Sequence, residues 1–389
     1  MEAAELTELI KRGEDSRTQF KKALDITNAK SLAGEMAAFA NSKGGKILVG
    51  IDDNGVVTGL TSEEIRRLNQ LISNTATNCV RPSINPDTEN IAVEGHIVMV
   101  ITIHEGISKP YADNDGVFWV KSGADKRRVT AREEIQRMLQ SSDLVHADEV
   151  PIDGTTTADI NMEHFKAFFA KHYEKTLEET ALPLEQLLNN LGLARGAKLN
   201  LAGLMLFGGN PQKYRPAFVV KAISFAGNDP ADTVYRDSQD IGGSLRDIYQ
   251  ETMRFLKRNL RRVQGDKGFN TLGDLELPHA ALEELVANML LHRDYFVSAP
   301  WRVFIFDDRI ELISPGALPN SITVENIRNG VSVMRNPLIA SFATKADEIP
   351  YRGIGTGIRR ALAAVPALEL KSDYERNLFT VCMPRSPLV

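Results

Sequence analysis

In the last third of the chain, the spacing of the apolar residues changes from that of a helix to that of strands. Within residues 278–292 the apolar positions recur at helical spacing, namely Leu282, Leu285, Val286, Met289 and Leu290. Apolar runs of strand length follow at residues 301–306 and 310–313, and alternating glycines in residues 353–357 indicate a turn before one more helix. This alternation predicts an α/β segment in which helices cover a sheet.

The rest of the chain has the same mixed character. Helical patterns precede an apolar strand at residues 46–51, and Asp52-Asp53-Asn54-Gly55 then predicts the turn of a β-hairpin. We therefore expect an α/β (α+β) protein with a mixed first domain over residues 1–140, a polar linker over 141–158, a helical and mixed connector over 159–264, and a C-terminal α/β sandwich over 265–389.

Charge and composition exclude several classes of protein. The 46 Lys and Arg residues against 51 Asp and Glu residues give a formal net charge of -5, so any site for nucleic acid must be a local basic patch. Cys79 and Cys382 are too far apart for a CxxC pair. The first residues lack the apolar core of a signal peptide, and no run approaches about 18 apolar residues. We expect a cytoplasmic protein with no membrane partner.

Polar residues form a stripe on the helix predicted at residues 278–292. Glu284, Asn288 and His292 are spaced by four residues, which places them on one face. A carboxylate can act as a general base, and oxygen ligands suit Mg²⁺. The stripe therefore predicts a catalytic and metal-binding pair, although the same spacing would also fit a solvated helix face.

The glycine-rich turn offers a place for phosphates. Gly353, Gly355 and Gly357 allow the backbone to approach a polyanion closely, and the amides at the start of the next helix can bind phosphate. The flanking cations Arg352, Arg359 and Arg360 would complement the phosphate charge. A plain tight turn with ordinary surface arginines is the alternative. The chain has no GxxxxGK[ST] phosphate loop, so we do not predict a helicase.

Four stretches of the C-terminal segment together resemble the GHKL ATPase family, which includes gyrase, the ninety-kilodalton heat-shock chaperone and histidine kinases. They are residues 283–295 (EELVANMLLHRDY), 306–319 (FDDRIELISPGALP), 335–337 (RNP) and 351–358 (YRGIGTGI). The resemblance is closest to a divergent bacterial branch labelled as a RecG-related helicase C-terminal or HATPase-like domain.

The resemblance implies roles for individual residues. Glu284 would be the water-activating base and Asn288 the Mg²⁺ ligand, and the three glycines would form a lid over the phosphates of ATP, with His292 and Arg352 beside them. Family members usually carry an Asp-x-Gly-x-Gly box whose aspartate reads the adenine amine. Here residues 314–316 (SPG) stand near that place, without an aspartate.

The N-terminal segment resembles the Schlafen AlbA-like domain, which is described as nucleic-acid binding. The resemblance rests on residues 13–21 (GEDSRTQFK) followed by residues 44–60 (GGKILVGIDDNGVVTGL). Some eukaryotic Schlafens cut RNA with three acids, and here Glu14 and either Asp52 or Asp53 match, but Gln19 replaces the second acid. A carboxamide is a poor substitute for a charged metal ligand, so the sequence favours binding over cleavage.

Cations and aromatic residues cluster near the end of the first domain. The predicted nucleic-acid-binding residues are Lys121, Lys126, Arg127 and Arg128 beside Phe118 and Trp119, joined by Lys21 and Lys22. Basic groups neutralise phosphates and an aromatic ring can stack on bases. The alternative is a charged loop with Trp119 in the core. A second basic run, in residues 248–263, fits a surface helix better than a phosphate site.

The combined prediction is an ATP-responsive nucleic-acid-binding protein, either a transcriptional regulator or a defence-related protein. It would bind DNA or RNA, hold Mg²⁺ and ATP in its C-terminal domain, hydrolyse ATP slowly if at all, and form a homo-oligomer. Two alternatives remain open. One is a metal-dependent RNase that uses Glu14 and Asp52 or Asp53. The other is a non-catalytic oligomeric scaffold.

Overall fold

The computed structural model describes residues 1–26, 28–141, 144–264, 273–319 and 322–385. The chain forms two compact units, Met1–Val145 and His146–Val389. Each unit mixes helices with sheets and has hydrophobic core residues of its own, which confirms the predicted α+β class. Within the described ranges, every helix is too short or too polar to cross a membrane.

The first unit packs helices against a mixed four-stranded sheet. Its helices are α1 (Ala3–Arg12), α2 (Ala29–Asn41), α3 (Ser62–Asn78) and α4 (Arg132–Ser141). Its strands are β1 (Thr18–Lys21), β2 (Gly45–Val49), β3 (Val80–Arg81), β4 (Asp87–Val93), β5 (His96–Ile103), β6 (Ala112–Asp113), β7 (Trp119–Ser122) and β8 (Asp125–Arg128). The sheet has the order β1-β2-β5-β4, and β3-β6 and β7-β8 form two small antiparallel pairs.

Strand β2 corrects the predicted hairpin. It pairs in parallel with β1 and antiparallel with β5, and a single bridge between Ile51 and Val57 is what remains of the expected local pairing. Ile47 packs into the core under α2 and α3, whereas the next residue, Leu48, packs into the core under α1. Because β2 is buried on both faces, its backbone N–H and C=O groups need hydrogen-bond partners along both edges. The distant strands β1 and β5 provide these partners.

The second unit is built on one six-stranded sheet with the order β12-β11-β15-β16-β18-β17. Its helices are α5 (Met162–Tyr173), α6 (Leu184–Asn190), α7 (Leu201–Phe207), α8 (Leu245–Asn259), α9 (His279–Leu291), α10 (Val324–Arg328), α11 (Pro337–Ala343) and α12 (Gly357–Ala364). Its strands are β9 (Ala194–Arg195), β10 (Lys198–Leu199), β11 (Val220–Phe225), β12 (Tyr235–Ile241), β13 (Arg262–Val263), β14 (Asp274–Leu275), β15 (Trp301–Ile305), β16 (Arg309–Pro315), β17 (Glu369–Asp373) and β18 (Leu378–Pro384).

This sheet joins the segment predicted as a connector to the segment predicted as a C-terminal domain. Strand β11, from the former, pairs in parallel with β15, from the latter. A single hydrophobic core extends from Ala147 to Met383 and includes residues of both segments. The basic helix expected over residues 248–263 ends at Asn259, and its Arg258 forms an ion pair with Asp237, so these cations belong to a paired surface helix.

Helix α9 lies at the centre of the second unit. Its apolar residues, including Leu282, Leu285 and Val286, are buried, and it contacts α8, α12 and β16. The predicted polar stripe of Glu284 and Asn288 is half-buried and faces α12 instead of open solvent. The fold therefore brings the stripe to the glycine-rich turn that precedes α12.

Candidate functional site

A cavity of about 130 Å³ lies between α9 and the turn that leads into α12. All the residues predicted for the nucleotide site line it: Glu284, Asn288, His292, Arg352, Gly353, Gly355 and Gly357. The floor is apolar and is formed mainly by Leu312, Ile322, Ile327, Phe379 and Val381. A mostly apolar cleft with a few convergent polar groups is typical of small-molecule sites.

The backbone of the turn requires glycine. Gly353 and Gly355 have φ angles of 68° and 73°, a left-handed conformation that costs little without a Cβ. A Cβ on Gly355 would lie 2.6 Å from the carbonyl oxygen of Gly330. A Cβ on Gly357, the first residue of α12, would lie 1.5 Å from Oε1 of Glu284. The carboxylate of Glu284 can therefore approach the start of α12 because residue 357 has no side chain.

Glu284 is held from two sides. The side-chain amide of Asn288 donates from Nδ2 to Oε1 of Glu284 at 2.7 Å, and Nη2 of Arg360 donates to Oε2 at 2.8 Å. Because the amide nitrogen of Asn288 is committed to Glu284, its oxygen remains the atom that can bind a cation. Mg²⁺ is commonly held by one or two side-chain oxygens together with phosphate oxygens, so Asn288 and Glu284 fit that ion.

His292 lies eight residues beyond Glu284 on the same stripe. Its Nε2 lies 3.0 Å from the hydroxyl oxygen of Tyr351. Burial, followed by the positive charge of Arg335, lowers the pKa of His292 to about 4. Burial and the charge of Glu284 raise the pKa of Tyr351 to about 12. Both side chains are therefore neutral near pH 7, and this end of the cavity carries no imidazolium charge.

Sequence reasoning assigned no role to two residues that shape this end of the cavity. Asn336 is 1% exposed, and its Nδ2 donates to the carbonyl oxygens of Leu291 and Arg293 at 2.8 and 2.9 Å. It thereby holds the end of α9 and places its neighbour Arg335 on the cavity wall. The Arg335-Asn336-Pro337 motif was the available signal, but a motif does not show which carbonyl groups an amide will reach.

In the first unit the structure corrects the expectation for Lys121. Its side chain is 2% exposed, and its Nζ donates to Oε1 of Gln19 at 2.8 Å and lies 3.9 Å from Oε2 of Glu35. Burial lowers the pKa of Lys121, against the opposing charges of Glu35 and Glu14. Lys121 is therefore an internal cation and does not present its charge to phosphates at the surface.

The other predicted cations differ in how far they are free to bind phosphate. Lys126 donates to Oε1 of Glu35 at 3.0 Å, and Arg127 forms two hydrogen bonds with Glu134 at 2.6 and 2.9 Å. Arg128 is exposed and lies 5.2 Å from the ring of Trp119, whose Nε1 donates to Asp113. On β1 and just after it, Lys21 is half-buried and Lys22 is exposed.

The acids of the nuclease alternative have separate local partners. Oε1 of Glu14 accepts hydrogen bonds from Nε2 of Gln19 at 2.5 Å and from the backbone amide of Phe20 at 2.7 Å. Oδ1 of Asp52 accepts from two backbone amides of its own turn. In the part of the chain that the structure describes, no group of three or more His, Cys, Asp or Glu residues could hold a metal ion.

Three family models match separate parts of the chain. Residues 14–130 match "Schlafen, AlbA_2", and residues 299–381 match "Putative ATP-dependent DNA helicase recG C-terminal". Residues 136–220 match "Domain of unknown function (DUF8451)". The chain therefore combines a Schlafen AlbA_2 region with a RecG C-terminal-type region, as the two resemblances predicted.

Two solved structures are similar to parts or all of the chain. The DIP2311 protein from Corynebacterium diphtheriae is 20% identical over 99% of this chain and 69% of its own, with a TM-score of 0.44. The N-terminal domain of a RecG-related protein from Nitrosomonas europaea is 24% identical over 34% of this chain and 96% of its own, with a TM-score of 0.25. The comparison with curated proteins gives no match.

Proposed function

We propose that the second unit binds a nucleoside triphosphate with Mg²⁺, and that ATP is a ligand of this site. The observation that carries the proposal is that Glu284 and Asn288 line the same cavity as Gly353, Gly355 and Gly357, with the carboxylate of Glu284 close to the backbone of Gly357. The match of residues 299–381 to the RecG C-terminal model supports it. The cavity therefore combines an oxygen-rich wall for a cation with a backbone wall for phosphates.

Each wall has a defined task in this proposal. The amides at the start of α12 and the guanidinium groups of Arg352 and Arg360 bind the phosphates. The side-chain oxygens of Asn288 and Glu284 hold Mg²⁺, which when bound neutralises phosphate charge. Glu284 would accept a proton from water, and the hydrogen bonds from Asn288 and Arg360 hold its carboxylate in position. Because these two donors compete with water for the carboxylate oxygens, we expect slow hydrolysis.

Calorimetric titration of the full chain tests the nucleotide site. Wild type should bind ATP more tightly with Mg²⁺ than with EDTA, and Asn288→Ala should remove that difference because it deletes the cation ligand. Asn69→Ala, at an exposed position of α3, is the matched control and should keep it. An unchanged Mg²⁺ effect in Asn288→Ala would remove this residue from the site.

We further propose that the first unit binds nucleic acid through the surface around Trp119. Arg128 and Lys126 lie 5.2 and 5.4 Å from this ring, which is half-buried and packs partly against α2, so its exposed part lies beside cations. Such surfaces bind single strands by stacking on bases and neutralising phosphates. The match of residues 14–130 to the Schlafen AlbA_2 model supports this assignment.

Salt titration with DNA and RNA oligonucleotides tests this surface. Arg128→Ala together with Lys22→Ala should weaken binding to all sequences and should reduce the slope of log affinity against log salt by roughly 0.7 to 0.9 for each lost phosphate contact. Lys11→Ala, an exposed cation of α1, should leave the slope unchanged. If the double variant keeps the wild-type slope, the phosphate contacts lie elsewhere.

The two proposed activities would be coupled if nucleotide binding changes how the chain associates. In this proposal the protein is a homo-oligomer whose association state depends on bound ATP, and it acts in transcription or defence. Coupling of this kind is reciprocal, so ATP must change the affinity for the oligonucleotide by the same factor as the oligonucleotide changes the affinity for ATP. Light scattering and titration, each with and without Mg-ATP, measure both quantities. Equal association states and equal affinities would refute the coupling.

A further inference from the structure

Arg335 presents unused hydrogen-bond donors at the end of the cavity that lies beyond His292. Its Nη2 donates to the carbonyl oxygen of Ala317 at 2.8 Å. A guanidinium has five N–H groups, and the other four of Arg335 have no hydrogen-bond partner among the residues that the structure describes. The nearby negative charge is that of Asp294, whose Oδ1 accepts from the backbone amide of Phe296.

The position of this guanidinium is fixed by the backbone around it. A Cβ on Gly316, which follows β16 and has a φ of 103°, would lie 2.6 Å from Nη1 of Arg335. The adjacent Asn336 is buried and bound to two carbonyl groups at the end of α9. Arg335 is therefore held against the turn of residues 314–316, and a donor fixed in advance loses little entropy when a ligand binds.

Acceptors for a ligand amine are scarce at this end. Among the described residues that line the cavity, the one acid is Glu284, which lies two helical turns away from His292, or roughly 12 Å along α9. The hydroxyl of Ser314 donates to the carbonyl oxygen of Met289 at 3.2 Å, so towards a ligand its oxygen acts as a neutral acceptor. The end wall thus offers a charged donor to a ligand, whereas its acceptors for an amine are neutral.

We propose that Arg335 binds the base of the nucleotide by donating hydrogen bonds to acceptor atoms on the edge of that base, so that 6-oxopurine nucleotides bind at least as tightly as ATP. A guanidinium pairs in a bidentate manner with the O6 and N7 atoms of guanine, whereas adenine offers N7 beside a donor amine. The apolar floor, which includes Leu312 and Phe379, would cover the face of either base. This inference rests on the proposed nucleotide site and names its base preference.

Titration of the full chain with Mg-ATP, Mg-GTP and Mg-ITP tests the proposal. ITP differs from GTP by lacking the 2-amine, so it isolates the 6-oxo group. In wild type, ITP and GTP should bind at least as tightly as ATP. Arg335→Lys keeps the charge but removes the planar set of N–H groups that allows bidentate pairing. It should weaken the binding of ITP and GTP by about tenfold or more and the binding of ATP by less.

Arg352→Lys is the matched control, because Arg352 lines the cavity directly before the glycine turn that is proposed to bind the phosphates. It should weaken all three nucleotides by the same factor. Tighter binding of ATP than of ITP by wild type overturns the inference without any variant, so a poorly folded Arg335→Lys protein does not prevent the test. Equal losses for all nucleotides in Arg335→Lys would also overturn it. Failure of every nucleotide to bind would refute the proposed nucleotide site itself.

Discussion

Gly357 is the residue at which the backbone of the glycine turn approaches the side chain of Glu284. An added methyl group would occupy the position of the Glu284 carboxylate, with 1.5 Å between Cβ and Oε1. That carboxylate is held by Asn288 and Arg360, so moving it would break both hydrogen bonds. The absence of a side chain at residue 357 is therefore a condition for the whole arrangement.

Gly357→Ala should abolish nucleotide binding and lower the free energy of unfolding by about 1–3 kcal/mol, the usual cost of overpacking. Titration and urea unfolding measure the two effects. Gly209→Ala is the control, since the nearest atom to its Cβ would lie 3.8 Å away. Adding Glu284→Ala to Gly357→Ala should restore stability but not binding. A Gly357→Ala protein that binds and unfolds like wild type would contradict this account.

Lys121 places a charged group in the interior of the first unit. Its ammonium group lies between Gln19 and Glu35, and it is 4.8 Å from the ring centre of Phe39. Glu35 is itself buried, with its Oε2 lacking a hydrogen-bond partner. Removing the cation would leave this buried carboxylate with less compensation, which is more costly than the loss of a surface ion pair.

Lys121→Met should lower the free energy of unfolding of the first unit by about 1–3 kcal/mol, because it leaves the buried amide oxygen of Gln19 without its donor, while Glu35 keeps Lys126. The midpoint of urea unfolding measures this loss. Lys22→Met, at an exposed position near the end of β1, should change stability by less than about 0.5 kcal/mol. Equal effects of the two substitutions would show that Lys121 is not energetically buried.

At the scale of single elements, the sequence predicted α9 better than β2. The helical spacing of apolar residues is local information, and it placed Glu284, Asn288 and His292 on one face, where the structure has them. The partners of β2 are not local. Residues 56–57 were the nearest candidates, but β1 and β5 bury more of the strand. Turn residues indicate where a chain reverses and do not decide which strand pairs beside it.

The same limit explains the position of Lys121. Alternation along β7 puts Lys121 on the side of Trp119, and both side chains pack towards α2. A run of charged residues does not reveal which of them the alternation turns inward. Arg335 is a second example, because its role depends on the turn at Gly316, which is distant in sequence. Motifs therefore identified the cavity, whereas its end wall required the structure.

The short helix of residues Ala147–Glu149 provides a pH-sensitive contact for α11. Asp148 is 0% exposed, and its Oδ2 accepts from the backbone amide of Ile339 at 2.9 Å. Burial raises the pKa of Asp148 from 3.8 to about 6. Because the folded state binds this proton more tightly than the unfolded state, stability is greatest below the unfolded pKa and falls as the pH rises from about 4 to about 6.

We therefore expect the second unit of wild type to lose stability between pH 4 and pH 6 relative to Asp148→Asn, by an amount of up to about 3 kcal/mol. The asparagine keeps an acceptor for the amide of Ile339 but does not ionise. Urea unfolding across this pH range measures the difference in slope. Asp229→Asn, at an exposed turn, should retain the wild-type slope. Parallel curves for wild type and Asp148→Asn would refute this role.

At the scale of the whole molecule, the two units should unfold separately. Met1–Val145 and His146–Val389 have distinct cores, and the proposed ligand of each lies within one unit. In calorimetry, Mg-ATP at 100 times its Kd should stabilise the second unit by about 2.7 kcal/mol and raise its Tm by roughly 5–10 °C. Lys121→Met should lower the other transition. A single transition that both changes move together would contradict separate unfolding.

The pairing of β11 with β15 has a consequence for how such a protein can be recombined. Residues 220–225 and 301–305 are neighbours in one ladder, although the DUF8451 match ends at residue 220 and the RecG C-terminal match begins at residue 299. In a chimera joined at residue 264, β11 would have to pair with a foreign strand in the same register inside the sheet. Among the residues that the structure describes, no sheet crosses a junction near residue 145, so recombination or engineering should exchange the part after this junction as a single module.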